Sequence, residues 1–382
     1  MEKPVIYLDH NATTPVLPEV REVVNEAMKE FWGNPSSLHS PGRKAFARLE
    51  DARARFAGFI GASSKEVFFT SGGTESDNLA VIGFIERFPG KELVISSVEH
   101  PAVYDAAQFL ASKGHTVKQI PVDEYGMIRM DKFEELLNDR VKLVSIIYAN
   151  NEIGTIQPIE EIGEMLVKRK IPFHSDAVQA FGKIPINVGK GHLSLMSVSS
   201  HKIYGPKGCG ALYVREGLKI NARTFGGSQE RYIRTGTENL PAILGFVKAA
   251  EIACNSLAVD AKYLFDLTET MYREICARIE NVIRNGHAQK RIPGTLNLCF
   301  PGAETESVLA SLDQDGVCAS GGAACSSGSV NASRTLLAIG RRKTEAISAI
   351  RFSLGKENTK QEVLSAVDAL ERAVKRIRAI NK

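Results

Sequence analysis

Between residues 66 and 214 the chain repeats one pattern, a short apolar run followed by a stretch with helical periodicity. The runs are "EVFFTS" (66–71), "ELVISSVEH" (92–100), "TVKQIPVD" (116–123), "VKLVSIIYANN" (141–151), "IPFHSDAVQ" (171–179), "LSLMSVSS" (193–200) and "GALYVR" (210–215). Helical patterns separate several of them, at 74–87, 101–113, 131–139 and 159–169. Runs this apolar have no solvent face, so they read as strands buried on both sides. Strands alternating with crossover helices predict an α/β architecture, a mostly parallel central sheet covered by helices. Upstream, residues 16–31 and 41–60 carry helical periodicity.

The final third is organised differently. Residues 257–279 read as one long helix, followed by short strands ("GTLNLCF", "AISAIRFSL") and helices ("ETESVLASLDQ", "KQEVLSAVDALERAVKRIRAI") in an α+β order. The expected division is a large domain over 15–258 and a smaller α+β domain formed by 1–14 and 259–382.

Several function classes lose support early. A net charge of +4 over 382 residues is too slight for a nucleic-acid surface, so no direct nucleic-acid contact is expected. No uninterrupted apolar run approaches the roughly 18 residues of a membrane span, and the N-terminus lacks a signal-peptide core, so the expected address is cytoplasmic with no membrane association. The six cysteines form no C-x-x-C pair and the eight histidines no H-E-x-x-H, which argues against a stable metal site. Neither G-x-x-x-x-G-K-[ST] nor G-x-G-x-x-G occurs.

Polar residues collect where the proposed strands end. Ser71-Gly72-Gly73-Thr74, His100, Asn151-Glu152, Asp176 with Gln179, and His201-Lys202 each follow an apolar run. Ligands of open parallel sheets bind outside those carboxyl ends. Gly72-Gly73-Thr74 opening a helix suits an anion such as phosphate, although a capping box would also explain Thr74-Glu75-Ser76-Asp77. Asp176 is either a buried carboxylate satisfied by backbone donors or the partner of a protonated ring nitrogen. His100 is either a hydrogen-bonded core histidine or an aromatic face for a ring. Lys202 is costly to bury unless chemistry uses it. An imine-forming lysine, a carboxylate and a phosphate cradle on one rim are the parts of a pyridoxal phosphate site.

The ordered segments "YLDHNATTP", "FTSGGTESDN", "VEHPAV", "NNEIG", "DAVQAFGK", "SSHKIYGPKGCGALYVR", "RTGTEN", "GGAACSSGS" and "AIRFSLG" resemble the cysteine desulfurases of the NifS/IscS type. These belong to the class V aminotransferases, fold-type I pyridoxal phosphate enzymes. The resemblance implies that Lys202 holds pyridoxal 5'-phosphate covalently. Asp176 would face its ring nitrogen, Gln179 its phenolic oxygen, and His100 would stack on the ring and shuttle protons. Gly73, Thr74, Ser199 and His201 would hold the phosphate, and Thr237 would reach the phosphate of a second subunit in a homodimer. Asn34, Asn151 and Arg351 would grip the substrate. Cys325, in a small-residue loop near 320–334, would attack the sulfur of L-cysteine and become a persulfide, leaving L-alanine. The sulfur would pass to an iron–sulfur scaffold protein of the IscU type, and to tRNA thiolation. A selenocysteine lyase or small aminotransferase of the same fold is the alternative.

Two features refine the resemblance. Gly322-Ala323-Ala324-Cys325 stands where the family has Gly-Ser-Ala-Cys, and Gly321 precedes it. The long spacing from Cys325 to Arg351 matches the NifS/IscS group. A further expectation is that Cys325 transiently ligates a cluster on a docked scaffold.

Overall fold

The structure, a computed structural model, describes residues 5–321 and 332–380. The chain opens on a two-residue strand, β1 (Ile6–Tyr7), and continues into α1 (Pro18–Glu30) and α2 (Ser40–Ile60). The alternating region then builds β2 (Val67–Thr70), α3 (Gly73–Ile85), β3 (Glu92–Ser96), α4 (Pro101–Ser112), β4 (Thr116–Ile120), α5 (Met130–Leu136), β5 (Val141–Ser145), α6 (Ile159–Lys168), β6 (Phe173–Asp176), β7 (Leu195–Ser199) and β8 (Gly210–Val214).

These strands form one seven-stranded sheet in the order β2-β8-β7-β6-β5-β3-β4. Only β8 runs against its two neighbours. The other pairs are parallel, as the apolar runs predict. Both faces are buried. Val67 and Phe69 enter one core while Phe68 enters the other, and Val94 and Val144 oppose Leu93, Ile95 and Leu143 in the same way. Side chains alternate across a strand, so a run buried on both faces needs no polar positions.

Past β8 the chain enters α7 (Leu240–Arg278), a single helix of 39 residues. Asn239 caps it by accepting from Ala242 N, and Pro241 sits in its first turn. The helix expected at 257–279 thus extends back to Leu240. Its first half buries Ile243, Phe246 and Val247 in the core shared with Phe56 and Phe181, while Leu267, Met271 and Ile275 enter a separate core with Phe300 and Phe352. By length and composition α7 is apolar enough to cross a bilayer; here its apolar face packs against α1 and α2.

The remaining elements are β9 (Ile283–Asn285), β10 (Thr295–Cys299), α8 (Thr305–Gln314), β11 (Val317–Cys318), β12 (Ser320–Gly321), α9 (Arg334–Ala338), α10 (Lys343–Ala346), β13 (Ala349–Ser353) and α11 (Lys360–Ile380). An antiparallel sheet β12-β13-β10-β9 carries α8 and α11. β1 pairs in parallel with β11 in a separate two-stranded sheet, and a bridge from Asp9 to Ser353 stitches the N-terminus to the second sheet. Residues 9–14 then run from that sheet to the turn that carries Lys202. Asn11 N donates to Ser353 Oγ (2.9 Å), and Thr14 N donates to His201 O (3.0 Å).

Candidate active site

The carboxyl ends of β2, β3, β6 and β7 open onto a cleft of about 310 Å³. Each end places its side chain for a local reason. β6 ends at Asp176, whose Oδ1 accepts from Val178 N (2.9 Å) as the chain turns. β7 ends at Ser199 and tightens into a single 3-10 turn, Ser200–Lys202. His100 caps α4, its Nδ1 accepting from Ala102 N (3.1 Å). An acceptor nitrogen carries no proton, so the proton of the neutral ring sits on Nε2. Burial lowers the His100 pKa and so favours that neutral form, against the opposing pull of Asp176.

The turn from β2 into α3 depends on glycine. Gly72 has φ 155° and ψ −175°, a region open essentially to glycine alone. A Cβ on Gly73 would lie 2.6 Å from Val178 Cγ2. The N-cap of α3 is Gly72, which offers no side-chain cap, so the capping-box alternative for Thr74-Glu75-Ser76-Asp77 is set aside. Glu75 instead accepts from Ser71 N (2.6 Å) and pairs with Arg234 Nε (3.0 Å). The α3 terminus therefore keeps first-turn N–H groups available to an anion at the cleft.

Gly73, Thr74, His100, Asp176, Ser199 and Lys202 all line this cleft, as do Asn151, Gln179, His201 and Arg351. Lys202 Nζ donates to Asn11 O and Ala12 O, both at 2.7 Å. His201 Nδ1 lies 3.1 Å from Thr13 Oγ1, and burial lowers its pKa to about 4. Arg351 is 3 % exposed; its Nη2 donates to Asp9 Oδ1 (2.7 Å) and its Nη1 to Asn151 O (3.1 Å). Its Nε is buried without a partner among the described residues, a donor still to be satisfied.

Two expected residues lie elsewhere. Asn34 is exposed and holds a turn by accepting from Ser36 N (2.9 Å). Thr237 is exposed and does not line the cleft of its own chain. Cys325 falls outside the described residues. Glu152 turns away from the rim, accepting from Ser333 Oγ and from Thr335 Oγ1 (3.1 Å).

Other residues in and behind the cleft escaped the sequence reading. Asp77 lies beside Asp176, is 1 % exposed, and leaves Oδ1 unpartnered among the described residues. Burial, reinforced by the Asp176 charge, pushes its pKa well up. Burial likewise raises Asp176 itself and drives Glu99 up to about 8. Asp9 and Asn11 bind Arg351 and Lys202, and Lys183 Nζ donates to Gln179 Oε1 (2.7 Å). The only signal was position. All lie inside segments quoted for the resemblance, but none carries a motif by itself.

This donor set fits a phosphorylated pyridine aldehyde. Asp176 and Asp77 are carboxylates whose charge burial disfavours, and a protonated ring nitrogen would relieve that cost. The uncapped α3 terminus suits a phosphate, Lys202 an aldehyde, and the Arg351 Nε donor a substrate carboxylate. Oxygen and nitrogen atoms of Asp77, His100 and Asp176 lie within 4.8 Å of one another, close enough to hold a cation, but the same atoms flank the place a ring would occupy.

Comparison with known proteins agrees with the geometry. Residues 6–365 match the family described as aminotransferase class-V. The chain is 43% identical over 378 residues to "Cysteine desulfurase IscS" of Dictyoglomus turgidum, covering 98% of this chain and 96% of the relative. It is 42% identical over 379 residues to the protein of the same name from Methanosarcina thermophila, covering 99% and 94%. Among solved structures, a "NifS-like protein" superposes with a TM-score of 0.91 at 34% identity, covering 97% of this chain and 99% of that one. A NifS-like protein from Rickettsia africae gives 0.88 at 35% identity with the same coverage. The chain therefore belongs to the class-V aminotransferase family, on its cysteine desulfurase branch, and is a fold-type I enzyme that uses pyridoxal 5'-phosphate.

Proposed function

We propose that the cleft takes L-cysteine, releases L-alanine, and leaves the sulfur as a persulfide on Cys325. The convergence of Lys202, Asp176 and the half-satisfied Arg351 on one rim carries this reading. Pyridoxal phosphate supplies an electron sink for the substrate α-carbon when bound. Arg351, oriented by Asp9 and the Asn151 carbonyl, holds the substrate carboxylate through its remaining N–H groups. Asn151 completes that grip, and Asn34 contributes if a second subunit brings it near. Asp176 keeps its charge against a ring N–H, and Gln179 donates to the phenolic oxygen. Gly73, Thr74, Ser199 and His201 hold the phosphate, with Thr237 supplied by the partner of a homodimer.

Lys202 would hold the cofactor, and its amine is placed to move the proton of the substrate α-carbon. His100, neutral with its proton on Nε2, serves as the second proton carrier. The Cys325 thiolate attacks the substrate sulfur. An S–S bond forms, the Cβ–S bond breaks, and its electron pair stays on carbon, which takes a proton and leaves as alanine.

Several features support the wider setting. Thr237 is exposed, and Leu38 and Phe225 are each 90% exposed, with Trp32 at 71%, as a dimer surface requires. The two cores, divided along α7, are read as the domains 15–258 and 1–14 with 259–382. The acceptor is an iron–sulfur scaffold protein, with tRNA thiolation as a second outlet and the cytoplasm as the compartment. The test is a cysteine assay on the cofactor-loaded protein. Alanine equal to sulfur released, with alkylatable persulfide on Cys325 alone, supports the reading. Turnover retained in Cys325→Ser, or amino transfer to a 2-oxoacid instead, overturns it.

A further inference from the structure

Lys183 is a half-buried cation with no role in the chemistry described above. It lines a second cavity, which shares Asn11 and Lys202 with the cleft and is bounded by His10, Tyr204 and α7. Its ammonium is enclosed, and Lys202 and Arg351 are the charges closest to it, both positive. Burying an ammonium beside two other cations is costly, and here only hydrogen bonds offset it. Two are present. Nζ donates to Gln179 Oε1 (2.7 Å) and to Asn11 Oδ1 (3.1 Å).

Both acceptors are amide oxygens, and that has a geometric consequence. An ammonium can donate but not accept, so each amide must turn its oxygen toward Lys183 and its NH2 away. For Asn11 the NH2 then donates to Asn151 O (3.2 Å) and Thr295 Oγ1 (2.9 Å). For Gln179 the NH2 faces the active-site side, where it donates to Asn11 O (2.9 Å) beside Lys202. The Asn11 carbonyl favours the same orientation but is shared with Lys202 Nζ, so Lys183 is the partner that holds the amide oxygen away from the cofactor.

We propose that Lys183 is a positioning residue, which locks the Gln179 amide so that its N–H end, never its oxygen, meets the cofactor's phenolic edge. The proposal rests on the reading of Gln179 given above. A phenolate is stabilised by a donor and repelled by a carbonyl, so the orientation of this amide sets the proton affinity of the bound chromophore. Burial and the two neighbouring cations lower the Lys183 pKa to about 7, so its charge is held at some cost. His10 and His201 also feel it, and both are kept neutral by burial.

The experiment uses full-length protein loaded with pyridoxal phosphate and titrated by its visible band. Variants are Lys183→Met, Lys183→Gln, Gln179→Ala and the double variant Lys183→Met with Gln179→Ala. The Met variant should raise the chromophore's proton affinity about tenfold, the size of one lost hydrogen bond to a charged group. The double variant should match Gln179→Ala, because without the amide there is nothing left to orient. Lys183→Gln, which can still present a donor to Gln179, should recover part of the shift. An unchanged titration in Lys183→Met, or effects that add in the double variant, overturns the proposal. Should the Met variant fail to fold, Lys183→Gln is judged against Gln179→Ala by the same criterion. If the wild-type protein takes up no cofactor, the site reading fails instead, and the two failures are distinct.

Discussion

Removing the negative charge of Glu230 should cost the protein about 3–5 kcal/mol. Glu230 is 4 % exposed and lies 177 positions from Arg53, its partner. Its carboxylate accepts from Arg53 Nη1 (2.6 Å) and Nη2 (2.8 Å) and from Phe69 N (2.9 Å). Glu230→Gln keeps the shape but turns an acceptor into an NH2 facing a guanidinium. Arg53, itself 5 % exposed, then retains only the half-exposed Glu50 as a counter-charge. The segment is also strained. Glu230, Arg231 and Tyr232 have φ of 42°, 54° and 65°, consecutive left-handed residues without a glycine, each costing about 1–2 kcal/mol. The ion pair holds that strain in place, so its loss should also release the stretch leading to Thr237 and weaken the homodimer proposed above. Urea unfolding of the purified protein measures the first effect and sedimentation equilibrium the second. A loss below about 1 kcal/mol would refute the reasoning, for it would mean that Arg53 finds water or another anion at no cost. Replacing both partners, Arg53→Met with Glu230→Leu, should recover much of the loss, because the penalty lies mostly in the stranded charge.

Other outcomes follow from the same structure. Burial raises the Glu99 pKa from 4.5 to about 8, so the native state binds a proton that the unfolded chain lacks between those values. Stability of the cofactor-free protein should therefore fall as pH rises through that window, by a few kcal/mol at most, and Glu99→Gln should flatten the slope in urea titrations at pH 5 and pH 8. His174 acts in the opposite sense. Its pKa is lowered to about 3 by burial, so acidification from 6.5 toward 3 should destabilise the fold, and His174→Gln should blunt the loss. Arg351→Lys cannot reproduce the forked contacts to Asp9 and Asn151, and kcat/KM for cysteine should drop about 100-fold, chiefly through KM. Gly73→Ala should weaken cofactor binding through its clash with Val178, and adding Val178→Ala should restore part of the affinity measured by fluorescence titration.

The strands and the rim were legible because both rest on local chemistry. A run such as "ELVIS" has no solvent face, and residues at its end meet the cleft whatever the rest of the chain does. Asp176 and Lys202 were readable for that reason. Asn11 was not. It works through Ser353, Thr295 and Lys202, partners 342, 284 and 191 positions away, and no periodicity encodes such distances. Arg53 and Glu230 were invisible in the same way. The first half of α7 went unread because its apolar residues face one core while those of its second half face another, which blurs any single stripe. Thr74 shows the converse limit. Its local pattern permitted a capping box, and only the backbone at Gly72 excluded it.

The threading of residues 9–14 has a consequence for biosynthesis. His10 Nδ1 lies 3.1 Å from Ser353 O, 343 positions on, so residues 9–14 leave the ribosome well before the strand they rest on. The wall that supports Lys202 is thus incomplete until β13 has emerged, and vitamin B6 loading waits for that strand. Nascent chains stalled before residue 349 should bind no pyridoxal phosphate, whereas the same chains extended past 380 and kept on the ribosome should.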